Sequence, residues 1–156
     1  MHLVMIGGSD AGISAALRAR EVDPAAEVTV VLADAYPNFS ICGIPYYVSG
    51  EVTHWRNLAH RTLADLEAAG MQLRLDTTAR RIDVPGRKLV VTSADGDEEI
   101  VSYDKLVVGT GAVPVRPPIG GLAGPDALGP GDGVHLLHSM GDTFAVMATL
   151  EQAAPA

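Results

Sequence analysis

The sequence predicts an α/β fold, a parallel sheet layered with helices and joined by a small antiparallel β-meander. Three observations predict it. The chain opens on an apolar run that ends in glycines, HLVMIGG, then passes through a helical pattern into a second apolar run. Three alternating runs, separated by PG and ADGD, follow in its middle. A further apolar run, DKLVV, again ends in glycines. With 156 residues, 47% apolar and 19% charged, the composition is that of one globular domain with a real core. Aromatics are only 4%, so that core is built from Val, Leu, Ile and Ala.

Taken in order, HLVMIGG reads as a buried parallel strand. AGISAALRAREV carries apolar residues at helical spacing and predicts a helix over Ala11–Val22. Val28 to Leu32 form the next buried strand, which completes a βαβ unit over about thirty residues. TLADLEAAGM predicts a helix capped by Thr62 and stopped by Gly70, with Leu63 and Leu66 facing inward. MQLRLDT is a strand, and ARRIDV, RKLVVTS and EEIVSY are the meander, about residues 77–103. DKLVVGTGAVP is read as another buried strand. The Pro/Gly-rich stretch over about 114–133 is a loop, VHLLHSM a short strand, and about 141–152 a terminal helix. Residues 1–156 are expected to form a single domain.

Composition also excludes function classes. The net charge is −8 and no basic block stands out, which argues against a nucleic-acid partner. A phosphate-bearing ligand is compatible with that charge, because backbone N–H groups hold phosphate without basic side chains. One cysteine allows no internal disulfide. The N-terminal apolar stretch is short for a secretory signal, and no window approaches the about 18 apolar residues of a membrane span. A cytoplasmic protein without a membrane partner is expected.

The first strand leads into Gly7-Gly8-Ser9-Asp10-Ala11-Gly12, a dinucleotide fingerprint whose middle glycine is serine. Such a loop needs a tight turn at Gly7, close backbone approach near Ser9 and close helix–strand packing at Gly12. A pyrophosphate would rest on the N–H groups that open the following helix, beginning at Ala11. Asp34, just past the second strand, is the acidic candidate for a ribose hydroxyl; an exposed strand-end aspartate is the equal alternative. Asp10 reads as a helix-start carboxylate favoured by the dipole rather than as a catalytic group. Cys42 lies in NFSICGIPYYVSG, ahead of a short helix with Pro45 in its first turn. Taken alone it is a buried apolar filler or a thiol that does chemistry. Helix starts favour thiolates, and only the thiolate attacks.

Together, the glycine loop, Cys42-Gly43-Ile44-Pro45-Tyr46-Tyr47 and Tyr103-Asp104-Lys105 through Gly109-Thr110-Gly111-Ala112-Val113-Pro114 resemble a known family. The chain is similar to the FAD-binding, N-terminal part of the single-cysteine flavoprotein disulfide reductases. That branch of the FAD-dependent pyridine nucleotide-disulfide oxidoreductases includes coenzyme A disulfide reductase, NADH oxidase and NADH peroxidase. The resemblance implies a Rossmann-like FAD-binding layer, incomplete relative to the family. It implies FAD held by Gly7, Gly8, Ser9, Ala11, Gly12, Asp34, Arg80, Thr110 and Gly111, with Arg80 where the family's backbone passes the adenine. It also implies that Cys42 is the catalytic redox thiol, with electrons passing from NAD(P)H to FAD to the cysteine. The substrate class is a small-molecule disulfide or thiol, coenzyme A disulfide among the candidates.

Three departures from the family pattern matter. Leu32 stands where the family has a ribose-binding glutamate, Asn38 where it often has serine, and Asp10 where oxidase and peroxidase members have histidine. Histidine exchanges a proton near neutral pH, so the last change favours the thiol-disulfide branch. The family's NAD(P)H-binding and dimerisation domains are expected to be absent from these 156 residues. NAD(P)H as donor and a homodimer are therefore expected only of a full-length form. The alternatives are a flavin-binding module without turnover and a remnant that binds nothing.

The remaining signals are weaker. His135 and His138 form an H-x-x-H that, on a strand, points to opposite faces, so no metal site is expected. His54 and His60 read as surface residues. Arg61-Thr62 is a helix cap or, as the family implies, a segment near a thiol substrate.

Overall fold

The computed structural model describes residues 1–153; the last three residues of the expected domain lie outside the described residues. The chain divides into two compact units, Met1–Phe39 with Ala59–Gly111, and residues 40–58 with 112 onward.

The first unit is a three-layer Rossmann-like assembly. Strands β1 (His2–Ile6), β2 (Glu27–Val31), β3 (Met71–Arg74) and β7 (Lys105–Val108) form a parallel sheet in the order β3-β2-β1-β7. Strands β4 (Thr78–Asp83), β5 (Lys88–Thr92) and β6 (Glu98–Ser102) form the antiparallel meander. Helix α1 (Asp10–Val22) links β1 to β2, and α3 (Leu63–Ala68) leads into β3. The strands' period of two sorts the apolar residues onto two faces. Met5, Val28 and Val30 join Ile13 and Ala16 of α1 and Leu66 of α3 in one buried cluster. Val4, Ile6 and Val31 join Leu89, Val91, Val101 and Tyr103 of the meander side in the other. Each fully buried aliphatic side chain contributes about 1.5–3 kcal/mol, so a sheet buried on both faces needs little help from aromatics.

The starts of β1 and β7 are tied to each other. His2 N–H donates to the Asp104 carboxylate (2.7 Å), and Asp104 N–H returns to the His2 carbonyl (2.8 Å). Thr62 caps α3, exchanging hydrogen bonds with Asp65.

Three expectations are corrected. β7 is not a buried strand: it pairs with β1 at the sheet edge and leaves Val108 61% exposed. An apolar run does not reveal whether it gains one neighbour or two. Leu66 is fully buried, but Leu63 sits in the first turn of α3 and is exposed. Residues 134–138 form no strand; among the described residues no partner strand pairs with them to complete a ladder.

The second unit contains a 3₁₀ turn at Ile41–Gly43, helix α2 (Ile44–Val48), a 3₁₀ turn at Trp55–Leu58 and helix α4 (Met140–Ala153). Helix α2 packs on α4. Trp55 meets Phe144 of α4 edge to face, with ring centroids 5.4 Å apart. Ser139 and Asp142 cap α4 reciprocally, each side chain accepting the other's backbone N–H. No helix among the described residues is long and apolar enough to cross a membrane.

Candidate functional site

Strand order reverses between β1 and β7, and in open α/β sheets ligands bind beyond the carboxyl ends of the strands at such a point. Two glycine segments meet there. Gly7 follows β1 with φ +108°, a left-handed conformation, and its N–H donates to the Val31 carbonyl at 2.8 Å. Its Cα rests on Gly109, directly after β7. A side chain at residue 7 would overlap the Gly109 carbonyl group and lie 3.3 Å from Thr110 N. A side chain at Gly12 would collide with the Gly7 carbonyl oxygen. Gly8 is buried beside Leu32, whose Cδ1 leaves only 2.8 Å to a Cβ built at residue 8. Leu32 also belongs to the core, so its side chain serves packing here.

Ser9 is the N-cap of α1 in extended conformation, and its side chain makes no capping bond. The N–H groups of the first helical turn therefore keep the free valences that every helix start offers, beside a backbone surface cleared of side chains. This cradle, which Cβ atoms would fill, suits a dinucleotide diphosphate. Ser9 and Gly12 line its helix side, with Ala11 exposed next to them, and Thr110 and Gly111 continue the opposing segment.

Asn38 ties this loop to the segment before α3. Its side chain is 2% exposed, and its backbone is left-handed at φ +56°. Its N–H donates to the Gly8 carbonyl (2.7 Å), and its carbonyl accepts from His60 N–H (2.9 Å). Its amide Nδ2 donates to Asp10 Oδ1 (3.2 Å), while Oδ1 faces the Arg61 guanidinium at 3.5 Å. Sequence reasoning noted Asn38 only as a departure from a family serine. The available signal was the Pro37-Asn38 turn pair, since asparagine tolerates the left-handed region.

Asp34 follows β2, half-buried. Its Oδ1 accepts from Tyr36 N–H at 2.9 Å. Burial pushes its carboxyl above the ordinary value; the Tyr36 bond opposes this and the nearby Asp76 adds to it. Arg80 lies exposed on β4, with Nε donating to the Thr92 hydroxyl (3.3 Å). The structure thus brings Gly7, Gly8, Ser9, Ala11 and Gly12 together with Thr110 and Gly111, sets Asp34 at the end of the adjacent strand, and leaves Arg80 on the meander.

Cys42 belongs to the second unit. It is a free, exposed thiol on the 3₁₀ turn, so a buried filler is excluded. The turn is anchored on both sides. Ser40 Oγ accepts from Gly43 N–H (3.2 Å), Ser40 N–H donates to the Leu58 carbonyl (2.8 Å), and Ile44 is 2% exposed. Pro45 occupies the first turn of α2 as expected. His54 stacks on Trp55, and the Arg56 guanidinium sits 4.3 Å from the Trp55 ring centre. His135 pairs with the Thr149 hydroxyl at 2.9 Å.

The switch point and paired glycine segments define a class, the Rossmann-like α/β layer with a phosphate-loop architecture. Comparison with known proteins narrows it. Residues 1–149 match the pyridine nucleotide-disulphide oxidoreductase family, and the chain belongs to that family. It is 34% identical over 123 residues to an NADH oxidase of Enterococcus faecalis, covering 78% of this chain and 28% of that one. It is 32% identical over 120 residues to an NAD(P)H coenzyme A polysulfide/persulfide reductase of Pyrococcus horikoshii, covering 77% and 26%. A solved NAD-dependent persulfide reductase from A. fulgidus superposes with a TM-score of 0.86 at 34% identity, over 99% of this chain and 28% of that one. The chain spans less than a third of the length of these relatives.

Proposed function

We propose that this chain is the FAD-binding portion of a FAD-dependent NAD(P)H oxidoreductase of the disulfide reductase type, with Cys42 as its single redox thiol. The observation that carries the reading is the contact between the Gly7 and Gly109 segments at the β1–β7 switch point. Gly7, Gly8, Ser9, Ala11 and Gly12 would hold the FAD diphosphate, Thr110 and Gly111 the facing side, and Asp34 a ribose hydroxyl; Arg80 is the adenine-side candidate. Bound FAD would supply two-electron transfer between NAD(P)H and the thiol. The Cys42 thiolate attacks one sulfur of a small-molecule disulfide or persulfide, forms a mixed disulfide and releases the other sulfur as a thiolate. An electron pair supplied by NAD(P)H through bound FAD would then cleave the mixed disulfide, releasing its second sulfur as a thiolate and restoring the Cys42 thiolate. Within these 156 residues no second thiol competes for that bond.

Two similarities favour a sulfur acceptor over oxygen. Two of the relatives are named as persulfide reductases. Asp10, where oxidase-type members carry histidine, is engaged by the Asn38 amide and offers no imidazole proton. In a full-length form, the NAD(P)H site and a homodimer would complete the enzyme.

The test is reconstitution of the purified chain with FAD, followed by the visible flavin absorbance. Retained absorbance after desalting supports the cofactor assignment; none retained removes it. In the full-length form, loss of that absorbance on adding NADH, and its return with coenzyme A disulfide, assigns turnover. Flavin uptake without bleaching in that form leaves a flavin-binding module.

A further inference from the structure

Resting on the FAD reading above, we propose that Asn38 is a positioning residue: it restrains the Asp10 carboxylate and fixes the glycine loop in its ligand-ready form. Asp10 is the one charged side chain between Gly7 and Gly12, and it is the first residue of α1. A carboxylate at that place competes with an anionic ligand for the same helix N-terminal field. The Asn38 amide draws this carboxylate to itself (3.2 Å), and the amide's other end meets the Arg61 guanidinium (3.5 Å). Asn38 therefore passes a cation's influence to Asp10 through one neutral, polarised group. Its backbone N–H simultaneously fixes the Gly8 carbonyl (2.7 Å), and its own carbonyl is held by His60 (2.9 Å). All four polar groups of a residue only 2% exposed are spent on the loop and on the 60–61 segment. Buried amides satisfied this fully specify one geometry.

The test exchanges donor and acceptor. N38D keeps the side-chain shape and a residue type that tolerates positive φ, but it sets two carboxylates against each other. The double variant D10N/N38D restores a hydrogen bond of reversed polarity and keeps an acceptor for Arg61. FAD titrations of the full chain, read by flavin fluorescence, should show dissociation weakened about tenfold or more in N38D. The swap should return it to within about threefold of wild type. A residue needed only for packing would show no such rescue. Hydrogen exchange at the amides of residues 7–12 in the FAD-free chain gives a second readout, faster in N38D and slowed again in the swap. Unchanged binding in N38D, or a swap no better than N38D, overturns the proposal. If the wild-type chain takes up no FAD, the flavin reading falls and exchange alone decides: unaltered exchange in N38D overturns the positioning role, and altered, rescued exchange upholds it.

Discussion

The glycine cradle and the cysteine turn do different work with different materials. The cradle is backbone against backbone: Gly7 on Gly109, Gly12 on Gly7, with no side chain between them. The turn is side chains on backbone: Ser40 holding Gly43, and Leu58 filling the space beside it, so that one thiol stands exposed. Backbone cannot step aside, but side-chain tips can. A site that must present N–H groups to a ligand is therefore intolerant of substitution, whereas a site that must present one sulfur atom is tolerant everywhere except at the sulfur.

The largest effect should come from Gly7→Ala. It adds a methyl group against the Gly109 carbonyl at a φ that L-residues rarely adopt, and the expected cost is about 3 kcal/mol or more, read from urea unfolding. Flavin uptake should be lost with it. A near-neutral Gly7→Ala would break the distinction between the two regions.

Gly43→Ala is the matched probe in the turn. The added methyl meets Leu58 Cδ2 at 2.8 Å, the far end of a side chain that can shift, so about 1 kcal/mol is expected by the same unfolding measurement. A loss as large as that of Gly7→Ala would mean that the turn is as rigid as the cradle.

Acidification should act with opposite sign on one carboxylate from each of the two units. Burial raises the Asp34 carboxyl, so the folded state holds its proton more tightly than the unfolded chain. Its contribution to stability falls as pH rises from the ordinary carboxylate range through the raised value, and the deficit persists above it. For Asp142, burial pushes upward, but the Ser139 N–H, the Ser139 hydroxyl and the His138 N–H prevail and hold the group below its ordinary value. Its stabilisation is complete above the ordinary range and disappears as pH falls through the depressed value. Urea midpoints measured across the acid range should show D34N removing a penalty near neutrality and D142N removing a gain. D34N also retains an acceptor for Tyr36 N–H. Identical pH profiles for both variants and wild type would contradict both assignments.

Cys42→Ser should have the smallest structural effect, within about 0.5 kcal/mol, because the side chain is exposed. It should leave flavin uptake intact and abolish turnover that depends on a thiol. Retained turnover in that variant would remove the redox role.

Much of this architecture was readable from residue order. Glycines after apolar runs mark β1 and β7, and PG and ADGD punctuate the meander, because those turns depend on local chemistry. Long-range information was missing. DKLVV looks the same whether it lies in the centre or at the edge of a sheet, and VHLLHSM has strand-like composition but, among the described residues, no neighbour to pair with. At the site, Gly7, Gly8 and Gly12 were legible from spacing alone. Gly109 as the surface on which Gly7 rests was not, since that contact joins segments distant in sequence. Asn38 escaped for the same reason: its four partners come from two segments, residues 8–10 and 60–61, each more than twenty positions away.

The separation between β1 and β7 also sets an order of events. Residues 2 and 104, which bond to each other in the finished sheet, are 102 positions apart. During synthesis, β1 emerges first but gains its second neighbour only after β7 has left the ribosome, and Gly7 finds its support only once Gly109 follows. Contacts this distant slow folding, because the intervening chain must be ordered before they form. The six residues after β1 are thus translated about a hundred positions before the segment that gives them their working shape.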